Sequence, residues 1–204
     1  MSVLDDISLT YESGKIYGLA GENGAGKTTL FDCMANLTPH EGEVEHPKQT
    51  TLGYLPAECF FYPLVTGREY IEFCLRACGK KISAESISET NAVEFQLPLD
   101  RYASEYSTGM KKKLAIFGIF LQDHDVFLLD EPFNGMDLGG CIRLKRLICR
   151  MAKEMQKTFI VSSHQMEVLN DMCDAIHYLH NGRIAKTFTD TSVEEIERFI
   201  LENE

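Results

Sequence analysis

The chain has no tryptophan, no Cys-x-x-Cys pair and no long apolar run, and its 20 basic residues are outnumbered by 31 acidic ones. Each shortage excludes something. A formal charge of −11 is wrong for a protein whose main partner is nucleic acid, because phosphate backbones demand clustered Lys and Arg. The one basic run, Lys111-Lys112-Lys113, is too short to reverse that and reads as a solvated helix face. No stretch approaches the ~20 apolar residues that span a bilayer. The N-terminus, Met1-Ser2-Val3-Leu4-Asp5-Asp6, does not read as a signal peptide, so the expected location is cytoplasmic. The seven cysteines are scattered and odd in number, which fits idle thiols in a reducing compartment. Cys74 and Cys78, on a predicted helix, amount to half of a metal site at most.

What is present is concentrated in two segments. Gly21-Glu22-Asn23-Gly24-Ala25-Gly26-Lys27-Thr28-Thr29 fits G-x-x-x-x-G-K-[ST], a glycine-rich loop whose backbone N–H groups wrap the phosphates of a nucleotide. The context is right: 15–20 reads as a short buried strand, and 28–37 carries Leu30, Phe31, Met34 and Leu37 at helical spacing until Pro39. An ordinary Gly-rich turn would not place Lys-Thr-Thr at the start of such a helix. Lys27 supplies a point charge to the β- and γ-phosphates, and Thr28 offers a hydroxyl to Mg²⁺. Asn23, Gly24, Ala25, Gly26 and Thr29 complete the expected nucleotide-binding set.

The second segment, Val126-Phe127-Leu128-Leu129-Asp130-Glu131, is a buried strand ending in two carboxylates. Open α/β sheets place ligands at the C-terminal ends of their strands. Asp130 is therefore the candidate for the magnesium shell and Glu131 for the water-orienting or general-base role. A solvated acidic turn is the bland alternative, and it weakens beside the glycine loop. His164 also ends a predicted strand, 158–161, and joins the catalytic candidates with Glu131 and Lys27. The other histidines read as structural.

Between these segments the texture changes. Strands are predicted over 42–45 and 50–55, and Thr66-Gly67-Arg68-Glu69 is a capping box opening a helix that Gly79 stops. The polar stretch to about 104 reads as helical with a break at Pro98. Residues 57–124 thus form a helical insertion between two halves of an α/β core, 1–56 and 125–204, within one domain of 204 residues. Further on, 143–155 carries a helical apolar face, Asn181-Gly182 marks a hairpin, and Ser192-x-x-Glu195 caps a final helix.

The order of these features resembles the nucleotide-binding domain of an ATP-binding cassette (ABC) protein over nearly the whole chain. Glycine loop, helical insertion, a Ser-x-Gly segment opening a helix, Leu128-Leu129-Asp130-Glu131-Pro132, Asn134-Gly135-Met136-Asp137 and the strand-end His164 follow in family order. Tyr106-Ser107-Thr108-Gly109-Met110 stands where the family signature usually reads Leu-Ser-Gly-Gly-Gln; Ser107 and Gly109 are kept. The resemblance implies a P-loop NTPase core with a mainly parallel sheet, a small antiparallel β region and the helical subdomain. It implies ATP and Mg²⁺, and a head-to-tail pair of subunits in which Ser107 and Gly109 of one reach the γ-phosphate held by the other. Residues 134–137 would run along the seam.

The implied role is the ATPase subunit of an exporter. It would sit on the cytoplasmic face of the membrane through a separate permease chain, with an identical or different second nucleotide-binding subunit and without nucleic acid. Three departures qualify it. Thr108 and Met110 replace Gly and Gln, as in exporter-type variants. Ala57, followed by Glu58, stands where a Gln is usual. The aromatic that stacks on adenine belongs before Leu4-Asp5-Asp6-Ile7, where this chain has not begun; Tyr11 is either its substitute or a surface turn residue. A nucleotide-gated regulatory module with little hydrolysis is the competing class. DNA-repair relatives lack support for want of coiled-coil arms and basic surface, and a nucleotide kinase does not explain Leu-Leu-Asp-Glu-Pro.

Overall fold

The apolar runs find one another in the computed structural model, which describes residues 3–203. β1 (Ile16–Ala20) and β4 (Thr158–Ser162) are buried along their whole length. β2 (Leu52–Leu55), β3 (Val126–Leu129), β5 (Ala175–His180) and β6 (Arg183–Phe188) complete one sheet of order β2-β3-β4-β1-β5-β6. The first five are mutually parallel, as expected for continuous apolar runs covered on both faces. Only β6, largely exposed, pairs antiparallel, through Asn181 and Gly182 in the left-handed conformation of a tight hairpin. Leu19 pairs with Ser162 and Leu129 with Val161, so the C-terminal ends of β1, β3 and β4 lie side by side. That edge carries the site.

Helices cover the sheet on two sides. α1 (Lys27–Met34) packs Leu30 and Phe31 on Tyr17, Leu19, Leu128 and Ile160. The opposite face meets α4 (Thr108–Leu121) and α5 (Leu138–Met155), with Phe127 and Phe159 stacked 5.0 Å apart and Phe120 edge-on to Phe127 at 5.2 Å. Truncating a buried ring such as Phe127 would cost about 3–5 kcal/mol. α2 (Gly67–Ala77) starts on the full capping box: Glu69 N–H donates to the Thr66 hydroxyl at 3.2 Å, and Thr66 N–H to the Glu69 carboxylate at 2.8 Å. α3 (Ala84–Thr90) runs into a single wide turn, Asn91–Phe95. There the buried Asn91 amide donates to Leu97 O at 2.8 Å and accepts from Leu97 N–H at 3.0 Å, so Gln96 turns out of the helix at φ +55° before Pro98 is reached. α6 (Met166–Asn170) and α7 (Val193–Asn203) close the chain, the latter capped by Ser192.

Four expectations are corrected. Residues 42–45 form no strand: all are exposed and Gly42 takes φ +92°, so there is no face to bury. α1 stops at Met34 because Asn36 turns left-handed, three residues before Pro39. α5 begins at Leu138, not 143. Tyr11 is not a surface turn residue. Its ring packs edge-on to Tyr17 at 4.7 Å and His177 at 5.7 Å, and burial drives its hydroxyl well above the ordinary tyrosine range. Tyr17 lies near the start of β1 and the glycine loop follows its end, so Tyr11 is held away from any nucleotide. Among the described residues no helix is long and apolar enough to cross a membrane, and no cluster of three or more His, Cys, Asp or Glu could hold a metal.

Candidate functional site

The glycine loop leaves β1 at a position only glycine can fill. Gly21 takes φ +155°, and an added Cβ would overlap the Leu179 carbonyl oxygen on β5. The loop then folds back, with Ala25 N–H donating to Glu22 O at 3.2 Å and the Ala25 carbonyl accepting from Gly182 N–H at 3.2 Å. The β-hairpin turn thus braces the loop from outside. Lys27 opens α1, and its buried ammonium curls back to donate to Gly21 O at 2.6 Å and Glu22 O at 3.0 Å. Burial pulls its pKa down, and the negative charges of Glu131 and Asp130 oppose that shift. An anion seated in the loop would stabilise the same charge.

The two carboxylates behave differently. Asp130 is 1% exposed, yet both its oxygens have donors: the Thr28 hydroxyl at 2.6 Å and the Ser162 hydroxyl. Ser162 uses its lone pairs as well, accepting from Glu131 N–H at 2.8 Å. One serine at the end of β4 therefore holds both acidic residues. Glu131 stands at φ +47°, a conformation a non-glycine residue adopts only under constraint, and its side-chain oxygens lie 3.1 and 3.2 Å from His164 Nδ1. A cavity of ≈ 260 Å³ is lined by Glu22, Asn23, Gly24, Gly26, Lys27 and Thr28, with Thr29, Val3, Ala57, Asp130 and Glu131 closing it. It has one cation and donor-rich backbone on one wall, with acceptor oxygens on the other. That suits a polyphosphate with a hard cation.

A family model described as ABC transporter matches residues 4–134. The chain belongs to the ABC transporter family. It is 31% identical over 208 aligned positions to the ABC transporter ATP-binding protein NatA of Bacillus subtilis (strain 168), covering 95% of this chain and 84% of that one. It is 29% identical to the bacitracin transport ATP-binding protein BcrA of Enterococcus faecalis, covering 91% of this chain but 64% of that longer protein. A solved structure of the ATP-binding subunit of an ABC transporter superposes with TM-score 0.81 at 25% identity, over 97% of this chain and 87% of that one. A dimeric ATP-binding cassette in a post-hydrolysis state with ADP and Pi superposes at TM-score 0.80, and at 19% identity speaks to the fold alone. The chain is an ATP-binding subunit of this family and an ATPase.

Within this cassette Lys27, Thr28, Asp130, Glu131 and His164 come together at the sheet edge, and Asn23, Gly24, Gly26 and Thr29 line the cavity. Ala25 contributes a braced backbone and no lining. Ser107 and Gly109 lie apart from the cavity, at the N-terminus of α4, where Ser107 caps the helix by accepting from Met110 N–H at 3.3 Å. Gly109 has a packing duty too: a Cβ there would overlap the Gly135 carbonyl oxygen, so the 134–137 segment lies directly on the signature. The run 111–113 is no solvated face. Lys112 is buried, and Lys113 pairs with Asp137 at 2.7 Å. Ser162, Val3 and Lys112 escaped the sequence reading. Ser162 is the last residue of β4, a place where a serine reads as a turn residue, so the sequence did not mark it.

Proposed function

We propose that the chain is the ATP-hydrolysing engine of an ABC exporter, working as a head-to-tail dimer on a separate membrane subunit. The observation that carries this reading is the division of the functional residues: the cavity has a complete phosphate wall, while Ser107 and Gly109 face elsewhere on the same chain. A helix N-terminus carrying an exposed serine suits an anion that only another subunit can bring. On binding, Lys27 exchanges the Gly21 and Glu22 carbonyls for phosphate oxygens, and the loop N–H groups donate to the same phosphates. Thr28 and Asp130 are the residues that would hold Mg²⁺; their oxygens suit a hard cation, which when bound neutralises charge on the transferred phosphoryl group. Glu131 takes the proton of the attacking water, and His164, hydrogen-bonded to both its oxygens, fixes where the carboxylate points. The Thr108 and Met110 variant of the signature supports export, and the relative named for bacitracin transport supports a small-molecule cargo.

The dimer is testable through charge. Two subunits at −11 repel, and that repulsion is screened over about 8 Å at physiological salt. ATP-driven association, followed by sedimentation, is expected to rise from the lowest salt to a maximum and then fall as phosphate contacts weaken. A monotonic loss from the lowest salt upward contradicts the reading.

Residues 57–124, as the helical subdomain, offer the membrane subunit a place. Phe60 is 77% and Leu64 79% exposed, with Tyr62 between them, on the loop that follows Ala57 of the cavity. Such large apolar side chains in one short loop mark a contact surface. Phe60→Ser with Leu64→Ser is expected to abolish co-purification with the membrane subunit and leave ATP turnover of the free chain unchanged. Retained co-purification would remove this loop from the interface.

A further inference from the structure

α4 carries a charge where the fold could have used a methyl group. Lys112 is 4% exposed, and its ammonium donates to Ala57 O at 2.6 Å, Pro56 O at 3.2 Å and Asp130 O at 3.5 Å. Three N–H donors meet three carbonyls, which satisfies the group completely. Among the described residues no carboxylate lies within ion-pair distance of it. Neutral carbonyls alone therefore hold a buried cation, an arrangement that costs stability compared with an apolar side chain of the same volume. Burial lowers its pKa, opposed by the more distant Cys59, Asp130 and Glu131. A group retained at such expense fixes geometry.

What it fixes is identifiable from its partners. Ala57 lines the phosphate cavity and leads into the exposed Phe60–Leu64 loop. Asp130 closes the opposite wall through Thr28. Lys112 itself rides on the helix whose N-terminus is Ser107 and Gly109. We infer that Lys112 is a positioning residue for ATP hydrolysis, tying the signature helix to the loop after β2 and to the end of β3 so that the three move as one piece. It does not line the phosphate cavity. Its effect is to carry a displacement at the 56–64 loop into the placement of Asp130 and Ser107, and the reverse. The inference rests on the roles given above to Asp130 and Ser107.

The test is steady-state ATP turnover of the full chain bearing Lys112→Met, which keeps the stem and removes charge and donors, and Lys112→Arg, which keeps both. Glu131→Gln serves as the reference for the site itself. Lys112→Met is expected to lower kcat by about 10–100-fold, the cost of misplacing groups by an ångström or less, with KM for ATP within about threefold of wild type. Lys112→Arg is expected to recover most of the loss. Unchanged kcat in Lys112→Met overturns the inference, and so does a loss that merely follows the fraction of folded protein or that Lys112→Arg does not relieve. Should Lys112→Met fail to fold, the wild type decides. Its Lys112 Nζ resonance is expected to be protected from exchange and to shift when a non-hydrolysable Mg-ATP analogue binds, and a resonance indifferent to nucleotide overturns the inference. Wild-type turnover in Glu131→Gln would instead strike the reading of the site, whatever Lys112 does.

Discussion

Glu131→Gln is expected to cut ATP turnover by about 10²–10⁴ while leaving nucleotide binding intact. The substitution keeps the side-chain volume, the backbone conformation and the N–H that donates to Ser162, so the strand end should not move. It removes the carboxylate that His164 orients at the cavity wall and that is assigned the proton of the attacking water. Asp130 cannot replace it, since both its oxygens are engaged by Thr28 and Ser162. Lys27 and the loop, which hold the phosphates, are untouched, so the variant should accumulate as an ATP-bound dimer. Single-turnover hydrolysis alongside filter binding separates the two effects. Turnover equal to wild type would remove Glu131 from the mechanism, and loss of binding would mean that the carboxylate shapes the loop.

The parts of this fold that were legible in the sequence share one property: two independent signals agreed there. The glycine loop had a motif and also a strand before it and a helical period after it, and β1, loop and α1 lie there. Val126–Leu129 had an apolar run and a terminal acidic pair. The readings that slipped rested on one signal. Residues 42–45 alternate like a strand but have no sheet to join. α6 has five residues, too few to show a period. Which strands are neighbours was not readable at all, because a run such as 52–55 looks the same against any partner; its parallel pairing with β3 is a tertiary outcome.

The site divides the same way. Thr28 and Asp130 were predicted to share a cation, and they meet at 2.6 Å because β1 and β3 both point their ends at one edge. Ser162 was invisible as a functional group because a serine ending a strand is most often a turn residue. Lys112 was hidden by its neighbours: three consecutive lysines look solvated, yet the helical period aligns Lys112 with Ala115, Ile116 and Ile119, all buried. The period was the better guide than the charge.

The proposed sharing of the site between subunits predicts complementation between two inactive chains. Lys27→Ala removes the phosphate cation of one cavity, and turnover is expected to fall by about 10² or more. Ser107→Asp leaves α4 intact, because Asp caps a helix as well as Ser does. It sets a negative charge where the partner's γ-phosphate would sit, so turnover should fall comparably with no loss of stability. In a mixed dimer the Ser107→Asp chain supplies an intact glycine loop and the Lys27→Ala chain an intact Ser107, which together make one complete site. Random pairing makes half of the dimers mixed, each with one good site of two, so an equal mixture should recover about a quarter of the wild-type rate. If each cavity were complete within its own chain, Ser107→Asp alone would hydrolyse ATP normally and mixing would add nothing. A stimulated rate in the mixture, absent from either variant alone, requires that the helix end and the glycine loop of one site belong to different chains.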